Sequence, residues 1–352
     1  MEIKRYRNDH RDSVFELIHS IRGPEVGERL RRRWDWQFEE NPFTPPSGPV
    51  ILVLEDDGNV VGILCSFPVE AQVLAEKIRL FYMTDFLTAP GSRGGGILLA
   101  QAMTDLPFTF AGTPNPISCP LWIGLGCHDI GSVETCVKVI DVRAMLRKRW
   151  SQKVLTDWPG TASNALLRLW ARVHRPREEK DFVVEEVSRV PDDYRSFWES
   201  CRAQYPVTTI RSDRYLKWRF LECPIRTYRI LMARREGRLA GYAVIRTEVC
   251  RGLRRGYIVD FLTHVDDGEA LEQILYRAET TLRRQGVATI STILPPSPER
   301  FRQVLRGRGY KIARQTRRIV GFSRAPEFPL TALRASPPWY VTLGDGELDL
   351  TE

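Results

Sequence analysis

Three short patterns occur twice in this chain, in the same order and with the same internal spacing. Trp36-Gln37-Phe38 runs to Pro42, and Trp218-Arg219-Phe220 runs to Pro224. Gly58 and Gly62 flank a short apolar step, and Gly237 and Gly241 flank another. Asp85-Phe86-Leu87-Thr88 recurs as Asp260-Phe261-Leu262-Thr263. Ordered self-similarity predicts a duplicated unit, so the second half should take whatever fold the first half takes. The halves then diverge. The first continues as Pro90-Gly91-Ser92-Arg93-Gly94-Gly95-Gly96-Ile97, the second as His264-Val265-Asp266-Asp267-Gly268. Asp266 and Asp267 would repel an oxyanion, so the duplication predicts a phosphate-binding loop in the first half alone.

With 352 residues, 43% of them hydrophobic, the chain can hold two units of ordinary size, each with its own core. The expected division is 1–145 for the first copy, 146–180 for a connecting segment, 181–325 for the second copy and 326–352 for a tail, Pro-rich and then acidic. Apolar runs stay well short of a membrane span. Met1-Glu2-Ile3-Lys4-Arg5 lacks the apolar core of a secretory signal. Seven cysteines (65, 119, 127, 136, 201, 223, 250) form no Cys-x-x-Cys pair and read as reduced thiols, with no metal expected. The expected setting is cytoplasmic. The net charge of +8 is uneven: 23 Lys+Arg against 22 Asp+Glu over 1–180, 28 against 17 over 181–325, and one against five beyond. A basic second half suits either a solvated surface or an acidic partner such as an acyl carrier protein or tRNA.

Periodicity predicts a strand over 3–6, helices over 9–21 and 25–40, and strands over 50–54 and 60–69 joined across Asp56-Asp57-Gly58-Asn59. A strand over 78–87, a helix opening on glycines at 94–103, a strand over 108–111, a helix over 118–124 and a strand over 133–142 follow. A helix over 162–173 lies in the connection. The second copy offers strands over 228–233, 239–246, 256–262 and 287–293, with helices over 269–284 and 298–305. This is an α/β layer architecture of two tandem units, each a mixed, mostly antiparallel sheet flanked by helices.

A strand, a turn with Arg93 and three glycines, then a helix is a physical recipe for binding phosphate. Glycines let backbone N–H groups approach an oxyanion, and a helix N-terminus adds the positive end of its dipole. Asp85 to Ile97 resembles the acyl-CoA-binding motif of the GNAT superfamily of N-acetyltransferases, in which a strand and a Pro lead to Arg-Gly-x-Gly-Ile opening a helix. The match holds at Pro90, Arg93, Gly94, Gly96 and Ile97, with Leu98 where the family has Gly or Ala. Asn115-Pro-Ile-Ser118-Cys-Pro-Leu-Trp122-Ile-Gly-Leu-Gly126 resembles the family's next helix, with Trp122 in place of the Tyr that often protonates the departing thiolate. Arg308-Gly309-Tyr310 matches its closing step in the second copy.

The resemblance implies a tandem GNAT-like fold with a degenerate second copy. It implies acetyl-CoA or another acyl-CoA as donor and a small-molecule amine as acceptor, such as an amino sugar or a biosynthetic intermediate. Leu87, Thr88, Ala89, Arg93, Gly94, Gly95, Gly96, Ile97, Asn115 and Trp122 would hold the donor, with a backbone N–H around Leu87 to Ala89 polarising the thioester carbonyl. Asp85, Glu39 and Glu40 are the carboxylates in range to accept the amine's proton, and Ser118 and His128 are protic groups near the Trp122 helix. Asp85 also has a fold reading, because Asp260 repeats it. Trp34 and Trp36 are placed to stack on an acceptor, although Trp218 repeats Trp36 and gives it a core reading. An aminoacyl-tRNA-dependent transferase and a non-catalytic binding protein are the alternative readings.

Overall fold

The computed structural model describes residues 1–74, 76–149, 160–167, 169, 176, 181–296, 298–325 and 339–350. After β1 (Glu2–Arg5), two amphipathic helices, α1 (Arg11–Arg22) and α2 (Pro24–Trp34), bury Val14, Phe15, Leu17, Ile18 and Leu30. Gly23, at φ 82°, stops α1, and Pro24 starts α2 where its missing N–H costs nothing. The second helix ends in a π-helical turn, Asp35–Glu39, and the second half repeats that feature at Lys217–Leu221.

Strands β2 (Val50–Asp56), β3 (Asn59–Val73) and β4 (Glu76–Thr88) form an antiparallel meander, followed by α3 (Gly95–Thr104), β5 (Thr109–Gly112), α4 (Cys119–Gly124) and β6 (His128–Val139). The strand expected over 133–142 begins five residues earlier and stops at Val139, because Val142 opens α5 (Val142–Arg149). Residues 160–167 are helical, while most of the rest of the helix expected over 162–173 lies outside the described residues. The later part supplies β7 (Phe182–Val187), α6 (Tyr194–Cys201), β8 (Val207–Thr209), α7 (Asp213–Leu216), β9 (Arg229–Arg235), β10 (Arg238–Cys250) and β11 (Leu253–Thr263). Then come α8 (Gly268–Arg284), β12 (Thr289–Leu294), α9 (Glu299–Gly307) and β13 (Lys311–Ser323).

All these strands join one mixed, mostly antiparallel sheet flanked by helices, in the order β1-β2-β3-β4-β5-β13-β6-β12-β11-β10-β9-β7, with β8 on β3. Its centre is an exchange. The last strand of the second half, β13, pairs with β5 of the first, and β6 of the first pairs with β12 of the second. The two exchanged strands also pair with each other, so the halves share one continuous sheet. Among the described residues no helix is long and apolar enough to cross a membrane.

The acidic end of the chain is not a loose tail. Trp339, Tyr340, Val341, Leu343, Leu348 and Leu350 are all buried. Asp345, Glu347 and Asp349 fall at alternate positions, and each meets a buried arginine: Arg211 at 2.7 Å, Arg33 at 2.8 Å and Arg246 at 2.6 Å. The carboxylates that look like a solvated tail in the sequence are second counter-ions for buried arginines that also meet Asp85, Asp260 and Glu248.

Candidate active site

Strands β4 and β5 run parallel and pair only over Leu80–Tyr82 against Thr109–Ala111, then part. Just past Tyr82, β4 bulges. Cys65 faces Thr84 and Ile63 faces Leu87, so Leu64 opposes two residues, and Asp85 sits at φ 43°. A non-glycine residue there costs about 1–3 kcal/mol and is held only by its surroundings. The gap opens into a cavity of about 1290 Å³, walled by Asp85, Phe86 and Leu87, by the segment after β5, by α1 and α2, and by the C-terminal segment.

Arg33 organises the polar wall. Its guanidinium donates to both Asp85 oxygens at 2.8 and 3.0 Å and to Glu347 at 2.8 Å, and Gln37 donates to the same Glu347 oxygen at 3.2 Å. Burial raises the Asp85 carboxyl to about 6. Arg33 pulls against that shift, and the neighbouring Glu347 charge adds to it. A carboxylate that exchanges its proton near neutral pH, on the wall of a cavity, is equipped to act as a base.

The second half repeats this constellation and closes it. Arg211 lies seven residues before Trp218, as Arg29 lies before Trp36. It donates to Asp260 at 3.2 Å and to Asp345 at 2.7 Å, with Arg211 and Asp260 wholly buried. Strands β11 and β12 also pair over three residues and part after Tyr257 and Ser291. Here the gap is filled by the chain itself. Gly344 N–H donates to the Val259 carbonyl at 2.8 Å, the Tyr340 hydroxyl to Phe261, and the Tyr205 hydroxyl to Thr263 at 2.5 Å. The rings of Tyr340, Tyr205, Phe261 and Phe301 pack together in the same place.

The glycine loop stands at the end of β4. Gly94 caps α3 at φ 80°, a conformation that favours glycine, and among the described residues no group accepts the N–H of Gly94 or Gly96. Gly95 is glycine for a different reason: a Cβ there would lie 2.6 Å from Leu54 Cδ2, so it lets the helix close on the sheet. Arg93 is exposed and has no ion-pair partner among the described residues. Two free N–H groups, a helix N-terminus and an uncompensated cation fit a phosphate-bearing ligand.

The structure brings Asp85, Leu87, Asn115, Ser118 and Trp122 to the cavity wall. Asn115 is partly committed, since its side-chain oxygen accepts the N–H of Ile117 and Ser118 at 2.9 and 2.8 Å and so caps the approach to α4. Within the stretch expected to polarise the carbonyl, Leu87 to Ala89, strand pairing separates the N–H groups. Ala89 N–H is taken by the Val61 carbonyl at 2.7 Å, and strand alternation turns Leu87 the same way, leaving Phe86 and Thr88 to face the free edge.

Other expectations are corrected. Glu39 and Glu40 lie at the solvent end of the π-helical turn, away from the cavity, and Glu39 meets Arg11 at 3.4 Å. Trp34 is fully buried among Tyr6, Phe15 and Phe38, with ring centroids 5.3, 5.2 and 4.8 Å away, so it is core and lines no acceptor site. Trp36 stacks on Trp218 between the halves. His128 opens β6 opposite Gly321 and does not line the cavity. Arg33 and Glu347 were not among the expected residues. The signal for Glu347 was the alternation Asp345-x-Glu347-x-Asp349, whose three carboxylates reach three different arginines.

No family model matches the chain, and no curated protein matches it in sequence. Solved structures do match. A probable N-acyltransferase from Enterococcus faecalis V583 superposes with TM-score 0.60 at 10% identity, over 92% of this chain and 73% of that one. A GCN5-related N-acetyltransferase from Anabaena variabilis gives 0.59 at 13%, over 91% and 72%. N-myristoyltransferase from Saccharomyces cerevisiae, with myristoyl-CoA bound, gives 0.58 at 9%, over 97% and 89%. At these identities the likeness is one of fold, and the fold is the GNAT-like one that the Asp85–Ile97 motif resembles.

Proposed function

We propose that the chain is an N-acyltransferase that moves an acyl group from acyl-CoA to a primary amine of a small molecule by direct attack in a ternary complex. One observation carries this reading: Asp85 stands on a strained bulge of β4, with its carboxyl raised to about 6, on the wall of a cavity, and β4 leads through Pro90–Arg93 to Gly94 and Gly96, whose N–H groups no described residue accepts.

The Gly94 and Gly96 N–H groups, the α3 dipole and Arg93 hold the donor's phosphates. The free edge of β4 beyond Tyr82 offers backbone groups to the donor's amide-bearing arm. An N–H of that edge, at Phe86 or Thr88, faces the thioester oxygen and stabilises charge as it develops there. Asp85 takes a proton from the acceptor's ammonium, which frees the nitrogen lone pair. The nitrogen bonds to the acyl carbon and gives up a second proton as the C–S bond breaks, and that proton neutralises the departing thiolate. Trp122, packed against Phe86 at 5.7 Å between centroids, shapes the pocket, because an indole N–H is too weak an acid for that last step. The Ser118 hydroxyl, on the same wall, is the nearby protic group.

The test is thiol release from acetyl-CoA and longer acyl-CoAs in the presence of a panel of primary amines. Amine-dependent release that disappears in both Asp85→Asn and Arg93→Glu supports the reading. Release that ignores both substitutions, or no release with any donor, removes it.

A further inference from the structure

The cavity wall formed by α2 carries more positive charge than the protein neutralises. Val26, Arg29, Leu30 and Arg33 all line it, at the i, i+3, i+4 and i+7 positions of one helical stripe. Two arginines four residues apart repel each other along a helix. Arg33 is compensated by Asp85 and Glu347. Arg29 is not: among the described residues no carboxylate or hydrogen-bond acceptor engages it. The carboxylates around it are committed elsewhere, Asp85 and Glu347 to Arg33, and Glu248 to Arg226 at 2.6 Å and Arg246 at 2.9 Å. Burial and the nearby Arg226 and Arg33 charges accordingly lower the Arg29 pKa. Arg22, at the end of α1, also lines the cavity without a partner among the described residues, and is near enough for its charge to act on Asp85.

The second half shows what this position does when the protein satisfies it. Arg211, the counterpart of Arg29 in the repeated pattern, spends its guanidinium on Asp260 and Asp345. In the first half that duty passes to Arg33, one helical turn on, and Arg29 is left facing the cavity.

We infer that the acceptor amine carries an anionic group, a carboxylate or a phosphate, which Arg29 and Arg22 hold while the amino group faces Asp85. This rests on the acyl-transfer reading for the amine but not for the anion, and the test separates the two.

The experiment uses the full chain and matched probes: glycine with glycinamide, phenylalanine with phenylalaninamide, and phosphoethanolamine with ethanolamine. Each is measured for thermal stabilisation and for acetyl transfer, in wild type, Arg29→Glu, Arg22→Glu and Arg29→Lys. The acidic member of at least one pair should stabilise the protein and be acetylated in preference to its neutral partner. Its KM should rise about tenfold or more in Arg29→Glu, the size of one lost charge-assisted hydrogen bond, and largely recover in Arg29→Lys. Preference for the amino acids assigns a carboxylate, and preference for phosphoethanolamine a phosphate. Stabilisation by an acid, lost in Arg29→Glu, with no transfer to any amine would keep the anion site and sink the transferase reading. Neutral amines that bind or react as well as their acids, or no stabilisation by any acid, would overturn the inference.

Discussion

Trp36 and Trp218 stack face to face, with centroids 5.0 Å apart and planes 20° from parallel, and each indole N–H donates to the other's backbone carbonyl, at 2.9 and 3.0 Å. The two residues that repeat each other in the sequence thus meet directly in the fold. Trp36→Phe and Trp218→Phe should each strand one buried carbonyl and cost about 1–3 kcal/mol. Because the bonds are reciprocal, the two losses should be similar and the double variant should fall short of their sum. Urea unfolding of both singles and the double checks this, and additive, unequal losses would contradict a shared clamp.

The C-terminal segment is expected to be indispensable to the fold. Arg211 is wholly buried and its compensation comes from Asp260 and Asp345. Removing one carboxylate from this buried cluster leaves Arg211 with Asp260 alone, and breaking a buried pair costs about 3–5 kcal/mol. Asp345→Ala should therefore lower the unfolding midpoint far more than Glu222→Ala, whose partner Lys217 is exposed. Equal, small shifts would mean that the segment is only laid over the surface.

Only one donor site per chain is expected, because Tyr340, Gly344 and Tyr205 use the free carbonyls of β11 that correspond to the open edge of β4. Titration calorimetry with acyl-CoA should give one equivalent per chain. Two equivalents would show that the C-terminal segment yields its place to a ligand.

The α/β class, the helix pair, the meander and the glycine-capped helix were all legible in the sequence, because each follows from local periodicity and turn chemistry. The exchange of β6 and β13 was not. No strand was expected at β13, and nothing in the pattern of β6 says whether it pairs within its half or across. Site residues divided along the same line. Asp85 stood out as a carboxylate on a central strand, although its repeat in Asp260 argued for a fold role, and the glycine loop stood out because its composition is unusual. Trp34 misled because a tryptophan without a repeat partner looks like a ligand-facing residue, whereas Tyr6, Phe15 and Phe38 enclose it. Glu347 was hidden because an acidic chain end reads as solvated until its arginines are located.

Arg93 and the glycine loop should matter for donor binding and little for folding. Arg93 is exposed, so Arg93→Glu should leave the unfolding midpoint without ligand nearly unchanged. A donor at about 100 times its Kd stabilises wild type by about 2.7 kcal/mol, and that gain should vanish in the variant. Gly95→Ala should behave in the opposite way, lowering the midpoint itself because its Cβ would collide with Leu54. A retained donor shift in Arg93→Glu would move the phosphates elsewhere.

The last prediction concerns the sign of two electrostatic effects on one carboxyl. Asp85 sits near 6 because burial raises it, Arg33 restrains the rise and Glu347 increases it. The base is its ionised form, so kcat/KM should fall as the pH drops through about 6, and Asp85→Asn should lower the rate about 10²–10⁴-fold on the plateau above. Glu347→Gln removes a like charge, makes ionisation of Asp85 easier and should carry the acid limb to lower pH. Arg33→Gln removes the opposite charge and should carry it higher. Displacements in opposite directions, read from pH–rate profiles on folded protein, would fix Asp85 as the titrating group, since no shared structural damage moves a pKa both ways. A limb that stays in place in both variants would assign the proton to some other group and leave Asp85 as the structural partner of Arg33, as Asp260 is of Arg211.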